Sequence, residues 1–260
     1  MCGITGIYCF KETAIQYKDK LSAAVNTLSK RGPDNKNTFF YNNIGLGHTR
    51  LSVIDTSNNA NQPFIDSTGK YAIIFNGEFY NFKDYKKELI NDGIKFISES
   101  DTEVLLYLLI KYGKSVLEKI NGCFAFAFCD FENNKCLLAR DRMGINPLYY
   151  YKDNEKLIFA SEMKAILAYN VPKQLDYESL KIYFQLNYLP VNCSIIKNIN
   201  KLEPGSYIEI NNNNSEISKY YEIHQFNSNE KHDDFETAKK TIRDLLDYSV
   251  KRRLVADVPL

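Results

Sequence analysis

No stretch of this 260-residue chain approaches the roughly 18 consecutive apolar residues that a membrane span needs. Nor does a basic-then-apolar leader open it. Neither a membrane anchor nor a signal peptide is expected, and the expected compartment is the cytosol. The three histidines, His48, His224 and His232, are scattered, and the six cysteines (Cys2, Cys9, Cys123, Cys129, Cys136 and Cys193) form no C-x-x-C pair. That pattern argues against a zinc site. A disulfide framework is not expected in a chain of this length without a leader, so Cys123, Cys129 and Cys136, which lie in apolar segments, are expected as buried thiols. The formal net charge is +1, which provides no excess of one sign to draw nucleic acid or another polyanion. The length does allow a full core, and one large domain or one and a half.

The first 160 residues read as strands punctuated by a few helices. Strands are expected over Ile4–Phe10 and around Thr38–Tyr41, Gly45–Ile54 and Tyr71–Phe75, with polar turns at Arg31-Gly32-Pro33-Asp34 and Ser57–Asn61. Leu21, Ala24, Val25 and Leu28 recur at helical spacing, and a second short helix carries Phe82, Tyr85 and Leu89 and ends at Gly93. Ser100 or Asp101 caps a helix over Thr102–Tyr112 that stops at Gly113. Gly122–Asp130, Cys136–Asp141, Leu148–Lys152 and Leu157–Ala160 then read as an antiparallel run, followed by a short helix capped by Ser161. Beyond it come a helix over Tyr177–Leu186, a turn at Glu203-Pro204-Gly205 and an asparagine-rich hairpin tip, Asn211–Asn214. An amphipathic helix through Phe235, Ala238, Ile242, Leu245, Leu246 and Val250 leads to a strand-like start at 255–260.

The most informative residue is Cys2, in the context Met1-Cys2-Gly3-Ile4-Thr5-Gly6-Ile7. Removal of Met1 leaves a cysteine with both a thiol and a free α-amine. The amine ordinarily has a pKa of ~7.7–8.0 and the thiol one of about 8.5. A nucleophile activated by its own terminal amine is an established catalytic device.

Four further motifs set polar residues in apolar surroundings: Arg31-Gly32-Pro33-Asp34, Gly47-His48-Thr49-Arg50-Leu51-Ser52-Val53-Ile54-Asp55, Asn76-Gly77-Glu78-Phe79-Tyr80-Asn81 and Ser100-Asp101-Thr102-Glu103. Singly, each is a turn, a hairpin signal or a helix start. With Cys2 and in this order, they resemble the N-terminal glutaminase domain of class II glutamine amidotransferases, an N-terminal-nucleophile hydrolase family. Within it the style is that of the glutamine-hydrolysing asparagine synthetases. Leu138–Ile145, Pro147-Leu148-Tyr149-Tyr150, Phe159-Ala160-Ser161-Glu162, Lys201–Gly205 and 252–260 extend the resemblance along the chain.

The resemblance implies an α+β fold, a four-layer αββα sandwich of two antiparallel sheets between helices, followed by the start of an α/β synthetase domain. On this basis the glutaminase domain occupies 1–168, sheet completion and a linker occupy 169–233, and 234–260 begin an ATP-pyrophosphatase domain. The family's Ser-Gly-Gly-x-Asp-Ser loop is not reached, so the chain reads as a fragment that cannot itself activate aspartate. Cys2 is the implied nucleophile, with Asn76 and Gly77 as oxyanion donors. Arg50 is the implied clamp for the glutamine α-carboxylate, which it suits by bidentate charge-assisted bonding, and Asp101 for the α-ammonium. Leu51, Ser52, Val53, Ile54 and an Asn76-Gly77-Glu78 turn line the glutamine pocket. The glutaminase domain needs no cofactor; ATP and Mg belong to the synthetase domain. The expected partners are glutamine, that synthetase domain and, in a homodimer, a second copy.

Family members often carry lysine where this chain has Asn146, a position outside the implied glutamine ligands. Two other readings remain open at this point. One is a synthetase-like amidotransferase with another acceptor, such as a sugar, glycan or β-lactam precursor. The other is a non-catalytic scaffold, against which stands the retention of Cys2, Arg50, Asn76 and Asp101.

Overall fold

Residues 122–130, Gly-Cys-Phe-Ala-Phe-Ala-Phe-Cys-Asp, do not alternate polar with apolar; they alternate large with small. A strand with this pattern buries both faces, and the structure shows what covers each. The computed structural model describes residues 1–212, 214–223 and 234–259. Its strands are β1 (Gly3–Cys9), β2 (Asn35–Tyr41), β3 (Ile44–Arg50), β4 (Phe64–Ile65), β5 (Tyr71–Phe79), β6 (Gly122–Asp130), β7 (Lys135–Arg140), β8 (Tyr149–Lys152), β9 (Lys156–Ala160), β10 (Ile199–Lys201), β11 (Ser206–Asn211) and β12 (Asn214–Lys219). Its helices are α1 (Lys18–Thr27), α2 (Phe82–Asn91), α3 (Asp101–Tyr112), α4 (Met163–Leu167), α5 (Tyr177–Leu186) and α6 (Phe235–Arg253).

The strands form two six-stranded antiparallel sheets, ordered β10-β8-β9-β1-β3-β2 and β12-β11-β7-β6-β5-β4. Three apolar layers hold them. Between the sheets, Ile4, Tyr8, Leu46 and Phe159 of the first meet Ala72, Ile74, Ala125, Ala127 and Leu138 of the second, and the alanines of β6 leave room for the large side chains of the first sheet. On the outer face of the second sheet, Phe75, Phe79, Phe124 and Phe126 pack against Phe82 and Leu89 of α2 and Val104, Leu105, Leu108 and Leu109 of α3. On the outer face of the first, Ile7, Cys9 and Ile158 pack against Leu21, Ala24 and Val25 of α1 and Ile166 of α4. The result is the expected four-layer αββα sandwich. Each fully buried leucine or phenylalanine contributes about 1.5–3 kcal/mol of transfer free energy.

Several local expectations change. Cys129 and Cys136 are not free thiols but a disulfide, while Cys123 is free and half-buried. The two cysteines face each other directly across β6 and β7 with a Cα–Cα distance of 4.3 Å, so the hairpin itself brings them together. Ser161 does not cap α4, whose N-cap is Glu162; its hydroxyl instead accepts the Ile4 N–H at 3.0 Å. Asn76-Gly77-Glu78 is not a turn, since β5 continues to Phe79 and pairs with β6 throughout. The 255–259 segment is irregular rather than a strand. Asn213 of the hairpin tip, His224, His232, Leu260 and the proposed boundary at 233/234 lie outside the described residues.

Candidate active site

Cys2 stands just before β1, where β3 ends beside it: Gly3 pairs with Thr49, so the cysteine lies opposite the exit of β3 at Arg50 and Leu51. Its thiol donates to the Leu51 carbonyl at 3.6 Å and its sulfur accepts the Leu51 N–H at 3.4 Å. Arg31 fixes the other side, donating from Nε to the Cys2 carbonyl at 2.8 Å while pairing with Glu162 at 3.2 Å. The turn carrying Arg31 reaches this position because Gly32 has no Cβ; one would lie 2.2 Å from the Thr49 carbonyl carbon. Burial pushes the Cys2 thiol above its ordinary pKa. The Leu51 hydrogen bond and the terminal ammonium oppose that push, and the carboxylates of Asp101 and Glu78 add to it.

Cys2 opens onto a cavity of about 290 Å³, near the lower end of the size range of small-molecule pockets. One wall is the free edge of β5. The N–H groups of Phe75, Gly77 and Phe79 point along that edge, away from β6, because Phe124, the partner of Gly77, directs both its N–H and its carbonyl to Asp141 on the other side. Phe75 N–H is taken by Gln62 Oε1 at 2.6 Å and Phe79 N–H by Asp101 Oδ2 at 3.0 Å. The Gly77 N–H between them has no acceptor among the described residues and faces the cavity. Beside it the Asn76 side chain is 1% exposed, and neither its Nδ2 nor its Oδ1 has a hydrogen-bond partner. Two unused donors on adjacent residues, next to a thiol, form an arrangement able to receive an oxyanion. The absent side chain of Gly77 faces β6, where a Cβ would lie 2.3 Å from the Cys123 carbonyl oxygen, so glycine is required by strand packing rather than by ligand approach.

The cavity's other end is charged. Asp101 is the first residue of α3, behind the Ser100 cap, whose hydroxyl accepts the Thr102 N–H at 3.1 Å. Asp101 is pushed up to about 6 by burial, although hydrogen bonds from Phe79, Thr102 and Ser100 oppose the shift. Glu78 is pushed up to about 8 by burial and then by the neighbouring Asp101 charge. Two carboxyl groups that disfavour each other's ionisation make a site that a cation would relieve.

Arg50 also lines the cavity, but its guanidinium is largely engaged. Nη1 donates to the Ser57 carbonyl at 2.7 Å and to Asn61 Oδ1 at 2.9 Å, and Nη2 donates to the carbonyls of Ile54 at 3.3 Å and of Asp55. Arg50 thus shapes the 51–62 loop and leaves Nε as its free donor among the described residues. Asp55 sits in the left-handed region at φ 52° and ties the loop to α3's approach, accepting the Glu99 N–H at 2.7 Å. Leu51, Val53 and Ile54 line the cavity. Ser52 does not: its N–H turns away to Asp34 Oδ2 at 2.7 Å.

Other lining residues escape the sequence reasoning. Arg253 and Val255 come from the end of α6 and beyond, where Asp257 grips the loop twice: its carboxylate accepts the Asp55 N–H at 2.7 Å and its own N–H donates to the Val53 carbonyl at 2.9 Å. Cys123, Gln62 and Asn146 complete the wall. Among the described residues no group of three or more His, Cys, Asp or Glu side chains could hold a metal, and no helix is long and apolar enough to cross a membrane.

A glutamine amidotransferase domain model matches residues 1–221. The chain belongs to the glutamine amidotransferase family. It is similar over its whole length to asparagine synthetase (glutamine-hydrolyzing) 3 of Bacillus subtilis, at 36% identity, covering 42% of that protein. It is likewise similar to asparagine synthetase B of Escherichia coli, at 33% identity and 41% coverage of that protein. Amidase chry2 of Gibberella zeae is 33% identical over 95% of the chain and 37% of the amidase. The chain therefore spans about two-fifths of the length of these curated relatives. In fold it resembles the glutamine phosphoribosylpyrophosphate amidotransferase of B. subtilis, with a TM-score of 0.61 at 21% identity over 85% of this chain and 49% of that one. In this amidotransferase domain the cavity at Cys2 brings a thiol, two unused hydrogen-bond donors and a charged end together in one place.

Proposed function

We propose that this chain is the glutaminase part of an enzyme that makes asparagine from aspartate with ATP, and that it hydrolyses glutamine at Cys2. The observation that carries this reading is the pair of free donors, Asn76 Nδ2 and Gly77 N–H, beside the Cys2 thiol. Removal of Met1 puts the amine on Cys2, which takes the thiol proton as sulfur attacks the glutamine Cδ. Asn76 and Gly77 stabilise the tetrahedral oxyanion. The C–N bond breaks, ammonia departs with the proton, and water hydrolyses the γ-glutamyl thioester with the amine as base, releasing glutamate. Arg50 meets the α-carboxylate through Nε and its charge, and Asp101 with Glu78 meets the α-ammonium.

The similarity to asparagine synthetases over the whole chain supports the acceptor assignment. On this reading the glutaminase core is 1–168, residues 169–233 complete the sheet and link, and 234–260 open the synthetase domain. ATP and Mg serve the part of the relatives that this chain does not cover, and the enzyme works in the cytoplasm. A second reading is that the same glutaminase feeds a different acceptor, since some of the similar proteins are named amidases and not asparagine synthetases. The test is glutamate release from glutamine by the Met1-processed chain. Release well above a Cys2→Ala control is expected, and none above it contradicts the reading.

A further inference from the structure

Asn146 lies in the loop between β7 and β8, which Asp141 organises by accepting the N–H groups of Met143, Ile145 and Asn146 at 3.0–3.1 Å. The Asn146 backbone is fully committed: its N–H goes to Asp141 Oδ2 at 3.0 Å and its carbonyl accepts from Arg140 Nε at 2.8 Å. Its side chain is not. The residue is 1% exposed, it lines the same cavity as Cys2 and Asn76, and its Oδ1 has no hydrogen-bond partner. A buried carboxamide acceptor without a donor ordinarily costs about 1–3 kcal/mol, so it marks a place where a ligand donor fits.

The cavity's polar groups differ in what they suit. Arg50, Glu78 and Asp101 carry the charges that complement the α-carboxylate and α-ammonium of an amino acid, and Asn76 with Gly77 supplies donors for a carbonyl oxygen. A glutamine carboxamide also has an NH₂ group with two donors, and among the neutral side chains of that set only Asn76 Oδ1 is an unpartnered acceptor, which leaves the second donor without one. We infer that the Asn146 carboxamide receives the leaving nitrogen of glutamine: Oδ1 accepts an N–H of the carboxamide NH₂, then of the ammonia formed when the C–N bond breaks. A half-turn about its sp³–sp² χ2 torsion exchanges the two ends of the carboxamide and lets Nδ2–H face the ammonia lone pair in place of Oδ1. A lysine at this position would have no acceptor to offer, so the inference depends on the asparagine of this chain. It rests on the glutaminase reading above and adds the leaving-group contact to it.

The test compares kcat/KM for glutamine with kcat/KM for glutamate γ-methyl ester, which acylates Cys2 in the same way but expels methanol and has no N–H on its leaving group. Both are measured on wild type, Asn146→Ala and Asn146→Ser. Because both substrates report on the same folded fraction, their ratio is insensitive to partial unfolding. Loss of one hydrogen bond to the departing nitrogen lowers the glutamine-to-ester ratio roughly 10-fold in Asn146→Ala, with a smaller drop in Asn146→Ser, whose hydroxyl keeps an acceptor. A ratio equal to wild type in both variants overturns the inference while leaving the glutaminase reading intact. Failure of the wild type to turn over either substrate overturns that reading instead, and this inference with it.

Discussion

His48 on β3 and Phe75 on β5 are joined across the interface between the two sheets: His48 Nε2 donates to the Phe75 carbonyl at 3.2 Å. The carbonyl can only accept, so the proton is on Nε2 and the buried Nδ1 carries the lone pair, without a partner. Gln62 holds the N–H of the same residue at 2.6 Å. Both backbone groups of the residue before Asn76 are thus clamped, which fixes the strand edge where the proposed oxyanion donors stand.

That clamp has a pH signature. Burial, aided by the Arg50 charge, holds His48 down to about 3, while a histidine in the unfolded chain titrates near ~6.5. Between those values the unfolded state binds more protons, so stability is full above pH ~6.5 and falls as pH drops toward 3. In His48→Asn the slope of unfolding free energy against pH in this window should be shallower by up to one proton, about 1.4 kcal/mol per pH unit. Urea unfolding at a series of pH values measures it, and an unchanged slope counts against the assignment.

Removing the free amide at Asn76 should act on turnover. Asn76→Ala is expected to lower kcat for glutamine by ~10²–10³ with a small change in KM, since the lost bond forms in the transition state. A rise in KM at constant kcat would instead make Asn76 a ground-state binder.

Glutamine binding should be proton-linked. Glu78, raised to about 8 by burial and Asp101, is protonated in the empty cavity below that pH and must ionise to receive the ammonium. As pH falls from 8 to 6, KM should rise, by up to roughly 10-fold per pH unit where the ionised form is required. Glu78→Gln should flatten that dependence, even if its KM is high throughout. Steady-state kinetics at fixed ionic strength decide it.

Asp257 offers a test of the loop that closes the cavity. Asp257→Ala removes the acceptor for the Asp55 N–H and should raise KM for glutamine about 3–10-fold, with little change in melting temperature. A matching loss of stability would mean that the contact serves folding and not the cavity.

Legibility differed from element to element. The helix starting at Asp101 and the β6 strand are readable because cap chemistry and large-small alternation are local signals. Asn76-Gly77 carries hairpin chemistry yet lies inside β5, because the flat face of Gly77 packs on the Cys123 carbonyl and tertiary pairing overrides the local preference. Arg31 reads as part of a turn, and its bond to the Cys2 carbonyl, spanning 29 positions, has no local trace. The proposed site residues Cys2, Arg50, Asn76, Gly77, Glu78 and Asp101 are legible through their motifs, and the structure gathers all six around one cavity. Asn146 and Asp257 are not legible, because only burial and long-range contacts distinguish them. Ser52, legible as part of its motif, turns outward to Asp34.

The central claim is that Cys2, as the N-terminal residue, is acylated by glutamine. The most direct measurement is rapid acid quenching of the processed chain during glutamine turnover, followed by mass spectrometry of the N-terminal peptide. A γ-glutamyl thioester on a peptide that begins at Cys2 is the expected result. Continued glutamate release with Cys2 unmodified, or with the acyl group on Cys123, would contradict it.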